Sequence, residues 1–254
     1  MKRLITVIFL FFLFVAVFPD FVISQEFVPE PGIPNVETEA TDMSFHQILK
    51  RNFIEGSAFF MSFIALALVV GLAFCLERIV YLNLSQVNTK KLLSDIEKRL
   101  LENKLDEAKQ IVRDTRGPVA AIAYQALVRI DESMDEIERS VVSYGSVQVG
   151  LLEKNLSWIS LFIASAPSLG FLGTVIGMIM AFDKIQSQGD ISPTIVAGGM
   201  KVALITTVAG LIVALILQVF YNYILSKESE IQNQMEDSSV MLMDMIIKYK
   251  HSKN

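Results

Sequence analysis

The chain has 254 residues, of which 52% are hydrophobic and 19% are charged, with a net charge of −5 and a mean hydropathy of +0.48. This balance is too apolar for an ordinary soluble domain and indicates several membrane-spanning segments. The negative net charge gives no reason to expect a nucleic-acid partner, and the single cysteine, Cys75, excludes an intrachain disulfide.

The first segment has the pattern of a secretory signal peptide. Lys2 and Arg3 precede an apolar stretch that ends at Phe18, and compact residues follow it. We expect residues 1–24 to be removed as a signal peptide, the alternative being an uncleaved anchor. Residues 25–56 are rich in proline and glutamate, and they predict a periplasmic linker that ends in a short amphipathic helix.

Three uncharged runs are long enough to cross a bilayer. They cover residues 57–76, 156–182 and 202–225, which are 20, 27 and 24 residues long, and about 20 residues suffice for a transmembrane helix. The second and third runs are joined by residues 183–201, which contain glycine and proline. We therefore predict a membrane hairpin with its turn at 183–201.

The distribution of lysine and arginine predicts the orientation of these spans. Residues 77–155 carry twelve of them and the tail, 226–254, carries four more, whereas the linker and the hairpin turn carry four between them. Because loops rich in Lys and Arg stay on the cytoplasmic side, 77–155 and the tail are expected in the cytoplasm. The linker and the turn then lie in the periplasm, which agrees with the signal peptide. This predicts a multi-pass membrane protein.

The two cytoplasmic regions have helical periodicity. Apolar residues recur every three to four positions through 86–113 and 119–154, with Gly117 and Pro118 between them. No strong breaker separates the second helix from the membrane run at 156, so we expect one continuous rod. The tail has the same period and is expected to extend the third span. The predicted fold class is therefore an all-α membrane protein with three transmembrane helices extended by long cytoplasmic helices.

Small residues form a stripe along the second span. Gly170, Gly173, Gly177 and Ala181 recur at helical spacing, and Gly210 provides a similar position in the third span. Small residues allow two helix backbones to approach closely inside a membrane. We predict that these five residues pack the helices together.

A few polar side chains lie within the spans. Thr174 and Thr207 would face the same seam if the hairpin packs through its small residues, and their hydroxyls could support a water chain or contact a carboxyl on another helix. The alternative is that each hydroxyl bonds back to its own helix. Thr206 and Gln218 are further polar positions for a pore or an interface, and Gln218 is expected to bond across an interface.

The three uncharged runs contain no Asp, Glu, His, Lys or Arg. Such a residue usually marks a proton path, so a proton-conducting chain of this kind needs its proton-binding group from a partner. The sequence has no metal-ligand cluster, phosphate-binding loop or nucleophile–base pair, and we expect neither an enzyme nor a cofactor. Lys201 is expected to extend to the outer surface instead of gating a pathway, and Pro167 to kink or loosen its helix.

Two long motifs resemble a known family. The sequence APSLGFLGTVIGMIMAF over 166–182 is similar to the pattern APxLGLLGTVxGMxxAF of the MotA/TolQ/ExbB proton channel family, and residues 195–214 resemble that family's third-span pattern. Gly117 with Pro118, and the segment 151–158, also match. The layout with three spans is closest to the ExbB/TolQ branch, since MotA has four spans.

The resemblance implies an all-helical homopentameric channel that encloses two single-span helices of the ExbD/TolR kind. An aspartate of that partner would bind the proton, and inward flow would energise a periplasm-spanning protein such as TonB. Thr174 and Thr207 match the family's pore threonines and carry over as pore-lining residues. A TolQ-like role in envelope maintenance and a non-conducting scaffold are the alternatives. A transporter acting alone is disfavoured by the missing intramembrane charge.

The sequence departs from the family pattern in two places. ExbB and TolQ members usually have a glutamate five residues before the third-span threonine, where this chain has Val202. A proton route that used this glutamate would need another group or a water molecule here. Ile216 and Leu217 stand where relatives often have a proline, which predicts a straighter third helix.

Overall fold

The structure is a computed structural model, and it describes residues 53–54, 56–189 and 193–253. Within these ranges the regular secondary structure is helical and contains no strand. The predicted signal peptide and residues 25–52 of the predicted linker lie outside the described residues. The helices are α1 (Ala58–Ser85), α2 (Thr89–Leu101), α3 (Leu105–Asp114), α4 (Pro118–Val128), α5 (Met134–Leu152), α6 (Leu156–Gln188) and α7 (Pro193–Lys253).

Three of these helices, α1, α6 and α7, each contain a segment long and apolar enough to cross a membrane. The prediction of three membrane-spanning helices is confirmed at the level of length and composition. Large apolar side chains such as Phe63, Leu66 and Val69 lie exposed on the surface of α1, as contact with lipid requires.

The last helix extends well beyond a membrane. It has 61 residues, and at 1.5 Å per residue this corresponds to about 90 Å, about three times the thickness of the hydrocarbon core. Its charged residues begin again at Lys227. The third span is therefore extended by a long helical tail, as its periodicity predicted.

The hairpin turn is shorter than the predicted 183–201. Helix α6 continues to Gln188, where Gly189 ends it in the left-handed conformation with φ of 69°. Helix α7 begins at Pro193, a residue suited to the first turn of a helix. The glycines at 198 and 199, which were predicted to lie in the turn, lie inside α7.

Residues 86–154 contain more breaks than predicted. The helix expected over 86–113 is divided between α2 and α3, with Asn103 in the left-handed conformation at φ of 57°. The helix expected over 119–154 is divided between α4 and α5. There Ser133 begins α5 with a capping box, in which its hydroxyl accepts from the Glu136 amide while the Glu136 carboxylate accepts from the Ser133 amide.

The expected continuous rod into the membrane is wrong. Helix α5 ends at Leu152 and α6 begins at Leu156, with Asn155 between them at φ of 68°. An asparagine can enter the left-handed region at low cost because its short polar side chain bonds locally. The apolar period runs through this break, and so periodicity alone did not reveal it. We call residues 153–155 the joint.

The distal part of α7 and the helices α2–α5 form one packed body. This part of α7 lies against α2, α4 and α5, and it buries Leu242, Ile246 and Tyr249 in the same apolar core as these helices. The Lys250 ammonium also donates a hydrogen bond to the Glu132 carbonyl at the turn between α4 and α5. The segments predicted as a cytoplasmic domain and a cytoplasmic tail therefore fold together.

Candidate functional site

Helices α6 and α7 form the most extensive helix pair of the described chain. Gly170, Gly173 and Gly177 lie buried in their contact, as does Ala181. A Cβ atom on Gly173 would lie 2.6 Å from the Thr206 hydroxyl oxygen, and one on Gly210 would overlap the Ala166 carbonyl. The two backbones are therefore too close for any larger residue at these points. We call this contact the α6–α7 seam.

The end of the seam next to the hairpin turn contains a close contact that was not predicted from the sequence. A Cβ on Gly199 would lie 2.5 Å from the Ala181 Cβ, whereas one on Gly198 would meet nothing within 4 Å. Both glycines had been assigned to the hairpin turn, where glycine is common. The spacing of Gly199, Ala203, Thr206 and Gly210 along one helical stripe was the signal that could have shown this.

The hydroxyls of the seam have different partners. The Thr207 hydroxyl donates across the seam to the Gly170 carbonyl at 3.3 Å. The Thr174 hydroxyl instead donates to the Phe171 carbonyl of its own helix at 2.6 Å. Both side chains are half-buried. In both cases the hydroxyl acts as the donor to a backbone carbonyl, so its oxygen lone pairs can still accept a hydrogen bond. The hydroxyl hydrogen can also rotate toward another acceptor.

The other two predicted polar residues bond within α7. Thr206 is fully buried, and its hydroxyl lies 2.9 Å from the Ala203 carbonyl and 3.1 Å from the Val202 carbonyl. The Gln218 amide donates to the Asn222 side chain at 3.1 Å. Within one protomer Gln218 makes this bond along the helix, since residues four apart are neighbours on a helix surface. Its bond across an interface stays a prediction.

Pro167 lies inside α6, which remains helical on both sides of it. Proline has no N–H group, so the carbonyl four residues earlier loses its usual partner. Gly210 approaches the backbone of α6 at Ala166, directly beside this proline. Gly210 therefore packs against the residue just before the proline, whereas the carbonyl that loses its partner is that of Ile163.

The first span packs against both helices of the pair. A Cβ on Gly71 would lie 2.7 Å from a methyl carbon of Leu217 in α7. Nearer the joint, Phe74 of α1 stacks on Trp158 of α6, with ring centroids 6.4 Å apart and planes at 9°. Trp158 is 52% exposed, which suits an aromatic anchor at a membrane surface.

An arginine on α1 holds the joint between α5 and α6. Arg78 is 2% exposed, and its guanidinium donates to the carbonyl oxygens of Leu151 at 3.1 Å and Leu152 at 3.4 Å. It also forms two bonds of 2.8 and 2.9 Å to the Glu77 carboxylate. Glu77 in turn accepts from the Asn155 amide at 3.2 Å.

These contacts give the joint a defined geometry. The last carbonyls of α5 have no partners in their own helix, and the Arg78 guanidinium donates hydrogen bonds to them. The guanidinium also lies over the Tyr81 ring, 4.5 Å from its centroid. In the sequence, Arg78 is one of the twelve Lys and Arg residues of 77–155 and no role was predicted for it. Its position beside Glu77, immediately after the uncharged run that ends at residue 76, was the available signal.

The described residues contain no group of three or more His, Cys, Asp and Glu side chains that could hold a metal ion. The polar groups at the α6–α7 seam are hydroxyls and backbone carbonyls. These can order water and exchange hydrogen bonds with a carboxyl, but a neutral hydroxyl does not itself titrate near neutral pH.

Comparison with known proteins relates this arrangement to a family. The chain is 32% identical over 157 residues to an ExbB homolog of Methanothermobacter thermautotrophicus, a match that covers 61% of this chain and 56% of that protein. It is 31% identical over 155 residues to the biopolymer transport protein ExbB of Neisseria gonorrhoeae, covering 58% and 64%. The biopolymer transport protein ExbB of Aquifex aeolicus is 35% identical over 79 residues, covering 31% and 53%.

The chain spans less than two thirds of the length of each of these relatives. The model of one family matches residues 76–237, which include the joint, the α6–α7 seam and most of α7. This range is more than half of the chain and contains both motifs on which the resemblance was based. The chain belongs to the MotA/TolQ/ExbB proton channel family.

Proposed function

We propose that this chain is the channel-forming subunit of an ExbB/TolQ-like motor complex that is driven by the proton-motive force. The observation that carries the proposal is the α6–α7 seam, in which closely packed helices present two threonine hydroxyls within spans that contain no ionisable residue. Such a seam can line a proton path, but the proton-binding carboxyl has to come from another chain.

The proposed complex is a homopentamer that surrounds single-span helices of the ExbD/TolR kind. An aspartate of that partner supplies the carboxyl, and a TonB-like protein receives the work. The surface of α6 supports this arrangement, because large apolar side chains there are about half exposed or more in the single protomer: Phe171, Ile179, Met180 and Phe182. Neighbouring subunits, the partner helix and lipid would cover them.

The proposed location is the bacterial inner membrane, with the N-terminus in the periplasm and the C-terminus in the cytoplasm. The asymmetry of lysine and arginine supports this orientation. It is also the orientation in which protons flowing inward pass from the outer end of the seam toward the joint. One proton moving through 100 mV supplies about 2.3 kcal/mol, which over several steps is enough for conformational work.

A second function, a non-conducting scaffold for envelope assembly, is favoured by one observation. Val202 replaces the glutamate usual in ExbB and TolQ members, and its half-buried side chain cannot carry a proton. A TolQ-like role in envelope maintenance would keep the channel and differ only in the protein that receives the work.

A flux measurement separates these functions. The chain is purified with the single-span membrane protein that accompanies it, and the complex is reconstituted in liposomes containing a pH-sensitive dye. We expect an applied potential to drive proton uptake by the complex and not by liposomes containing this chain alone. Uptake equal to that of protein-free liposomes would contradict the channel and support the scaffold.

A further inference from the structure

One buried carboxyl lies outside all the contacts described above. Glu228 of α7 is 6% exposed, and it follows the uncharged run that ends at residue 225. In the part of the chain that the structure describes, its carboxyl has no hydrogen bond or ion pair. A carboxylate buried without a partner is costly, so such a group is usually paired or protonated.

The charge that acts on this carboxyl is negative. Glu153, the residue after α5 and the first of the joint, is the charged group whose repulsion acts on Glu228. The cation on α1, Arg78, donates its hydrogen bonds to Glu77 and to the carbonyls of α5. On α7 itself, the neighbouring Lys227 is paired with Glu230 at 2.7 Å.

Among the described residues, no cation of the other helices packed on α7 is paired with Glu228. The charged side chains of α5, Asp135, Glu136, Glu138 and Arg139, are exposed near the end of α5 opposite the joint. Helix α2 buries Leu92, Leu93 and Ile96, while its lysines at 90, 91 and 98 and Asp95 are exposed. The titratable group of α4, Tyr124, lines a groove with Asp106 and Lys109 of α3. The charged residues of α6, Asp183 and Lys184, lie near its other end, and the Lys154 charge beside the joint acts on Glu77.

The electrostatic consequence has a definite direction. Burial raises the pKa of the Glu228 carboxyl above its ordinary value, and the negative charge of Glu153 raises this pKa further. The neutral acid fits the packed site, whereas the carboxylate would lack both water and a counter-charge and would be repelled by Glu153.

We propose that the Glu228 carboxyl is a proton-binding site that sets how tightly the joint between α5 and α6 is held. With the proton bound, α7 packs against a closed joint, fixed by the bonds from Arg78 to α5 and from Asn155 to Glu77. When the proton leaves, the carboxylate repels Glu153 and draws water into the contact, which loosens the link between the extramembrane helices and α6. This inference does not depend on proton conduction through the seam.

The pH dependence follows from linkage. Because the folded state holds this proton more tightly than the unfolded chain, the stabilising effect is complete below the ordinary pKa of glutamate. It is lost as the pH rises through the raised pKa of Glu228. The joint is therefore expected to be closed at lower pH and to loosen at higher pH.

Infrared spectroscopy of the full-length chain in lipid nanodiscs tests the proton itself. A protonated carboxyl has a C=O stretching band that a carboxylate lacks. We expect a band that persists at pH values where exposed carboxyls are ionised, and that is lost in Glu228→Gln. The matched control is Glu236→Gln, an exposed glutamate on the same helix, which should keep the band. A band unchanged in Glu228→Gln would overturn the proposal.

Hydrogen exchange tests the effect on the joint. After correction for the intrinsic pH dependence of exchange, the amides of residues 153–158 should exchange faster in the wild type as the pH rises. Glu228→Gln should remain slow throughout, while Glu236→Gln should follow the wild type. An identical pH dependence in the wild type and Glu228→Gln would overturn the proposed control of the joint.

A second variant keeps the test decisive if Glu228→Gln does not fold. Glu153 is exposed, and Glu153→Gln removes the like charge without disturbing the core. We expect this substitution to lower the pH at which the infrared band disappears and the joint loosens. An unshifted midpoint for both signals would contradict the coupling between these two glutamates.

Discussion

The two pore candidates, Thr174 and Thr207, differ in what they contact within one protomer. Thr207 reaches across the seam to the Gly170 carbonyl, whereas Thr174 bonds to its own helix. The spacing of these residues placed both near the seam, but a side-chain rotamer decides where a hydroxyl points. Both hydroxyls bond to carbonyl oxygens, so each remains able to accept a bond from water or from a protonated carboxyl.

Replacing either hydroxyl by a methyl group tests the pore assignment. We expect Thr174→Val and Thr207→Val to reduce proton uptake by the reconstituted complex to the level of liposomes with this chain alone. Valine has nearly the same shape as threonine, so subunit assembly, measured by native mass, should be unchanged. Thr174→Ser and Thr207→Ser retain the hydroxyl and should retain uptake. Full uptake by both valine variants would remove these residues from the pathway.

The buried guanidinium of Arg78 predicts a large effect on stability. Arg78→Ala leaves the last carbonyls of α5 without a donor and removes the bonds to Glu77. We expect a loss of about 2–3 kcal/mol, because hydrogen bonds of charged groups contribute about 1.5–3 kcal/mol. Thermal unfolding in detergent measures it.

The matched control for this prediction is Arg99→Ala. Arg99 forms ion pairs with Glu102 and Glu107 at the surface, and its side chain is 35% exposed. Such exposed pairs contribute about 0–1 kcal/mol. Equal destabilisation by the two substitutions would show that the contacts of Arg78 with α5 have no special role.

Among the helices, the close packing of α6 against α7 requires glycine at some positions of α7 and not at others. We expect Gly199→Ala to destabilise the protein by about 1–3 kcal/mol, the usual cost of overpacking, since its Cβ would collide with Ala181. The adjacent Gly198→Ala meets nothing and should be neutral or stabilising by up to about 1 kcal/mol, because alanine favours the helix. Equal melting temperatures for the two variants would contradict the close approach at Gly199.

The helix boundaries show which breaks a sequence reveals. The break at Gly117 and Pro118 was predicted, since these residues have strong backbone preferences. The breaks at Asn103 and Asn155 were not, because asparagine occurs inside helices as well as in the left-handed conformation. At the joint, the helix break is stabilised by contacts of Arg78 and Glu77, which lie on a helix more than seventy residues earlier.

At the scale of the whole molecule, the charge distribution predicts the orientation. A fluorescent protein fused after residue 254 should fold and fluoresce, and alkaline phosphatase fused there should be inactive, because this enzyme needs the periplasm to form its disulfides. The same two reporters inserted at residue 190, in the predicted periplasmic turn, should give the opposite result. Active phosphatase at the C-terminus would contradict the proposed topology.

The sequence by itself determined the three membrane helices, the helical tail and the family, because uncharged length, helical period and local motifs are properties of contiguous residues. It also located Gly170, Gly173 and Gly210, whose spacing is local. Only the tertiary structure decided the break at the joint, the contact at Gly199, the bond from Thr207 to α6 and the burial of Glu228. Each of these depends on which side chains from distant segments meet, and that is settled by the packing of α1, α6 and α7 together.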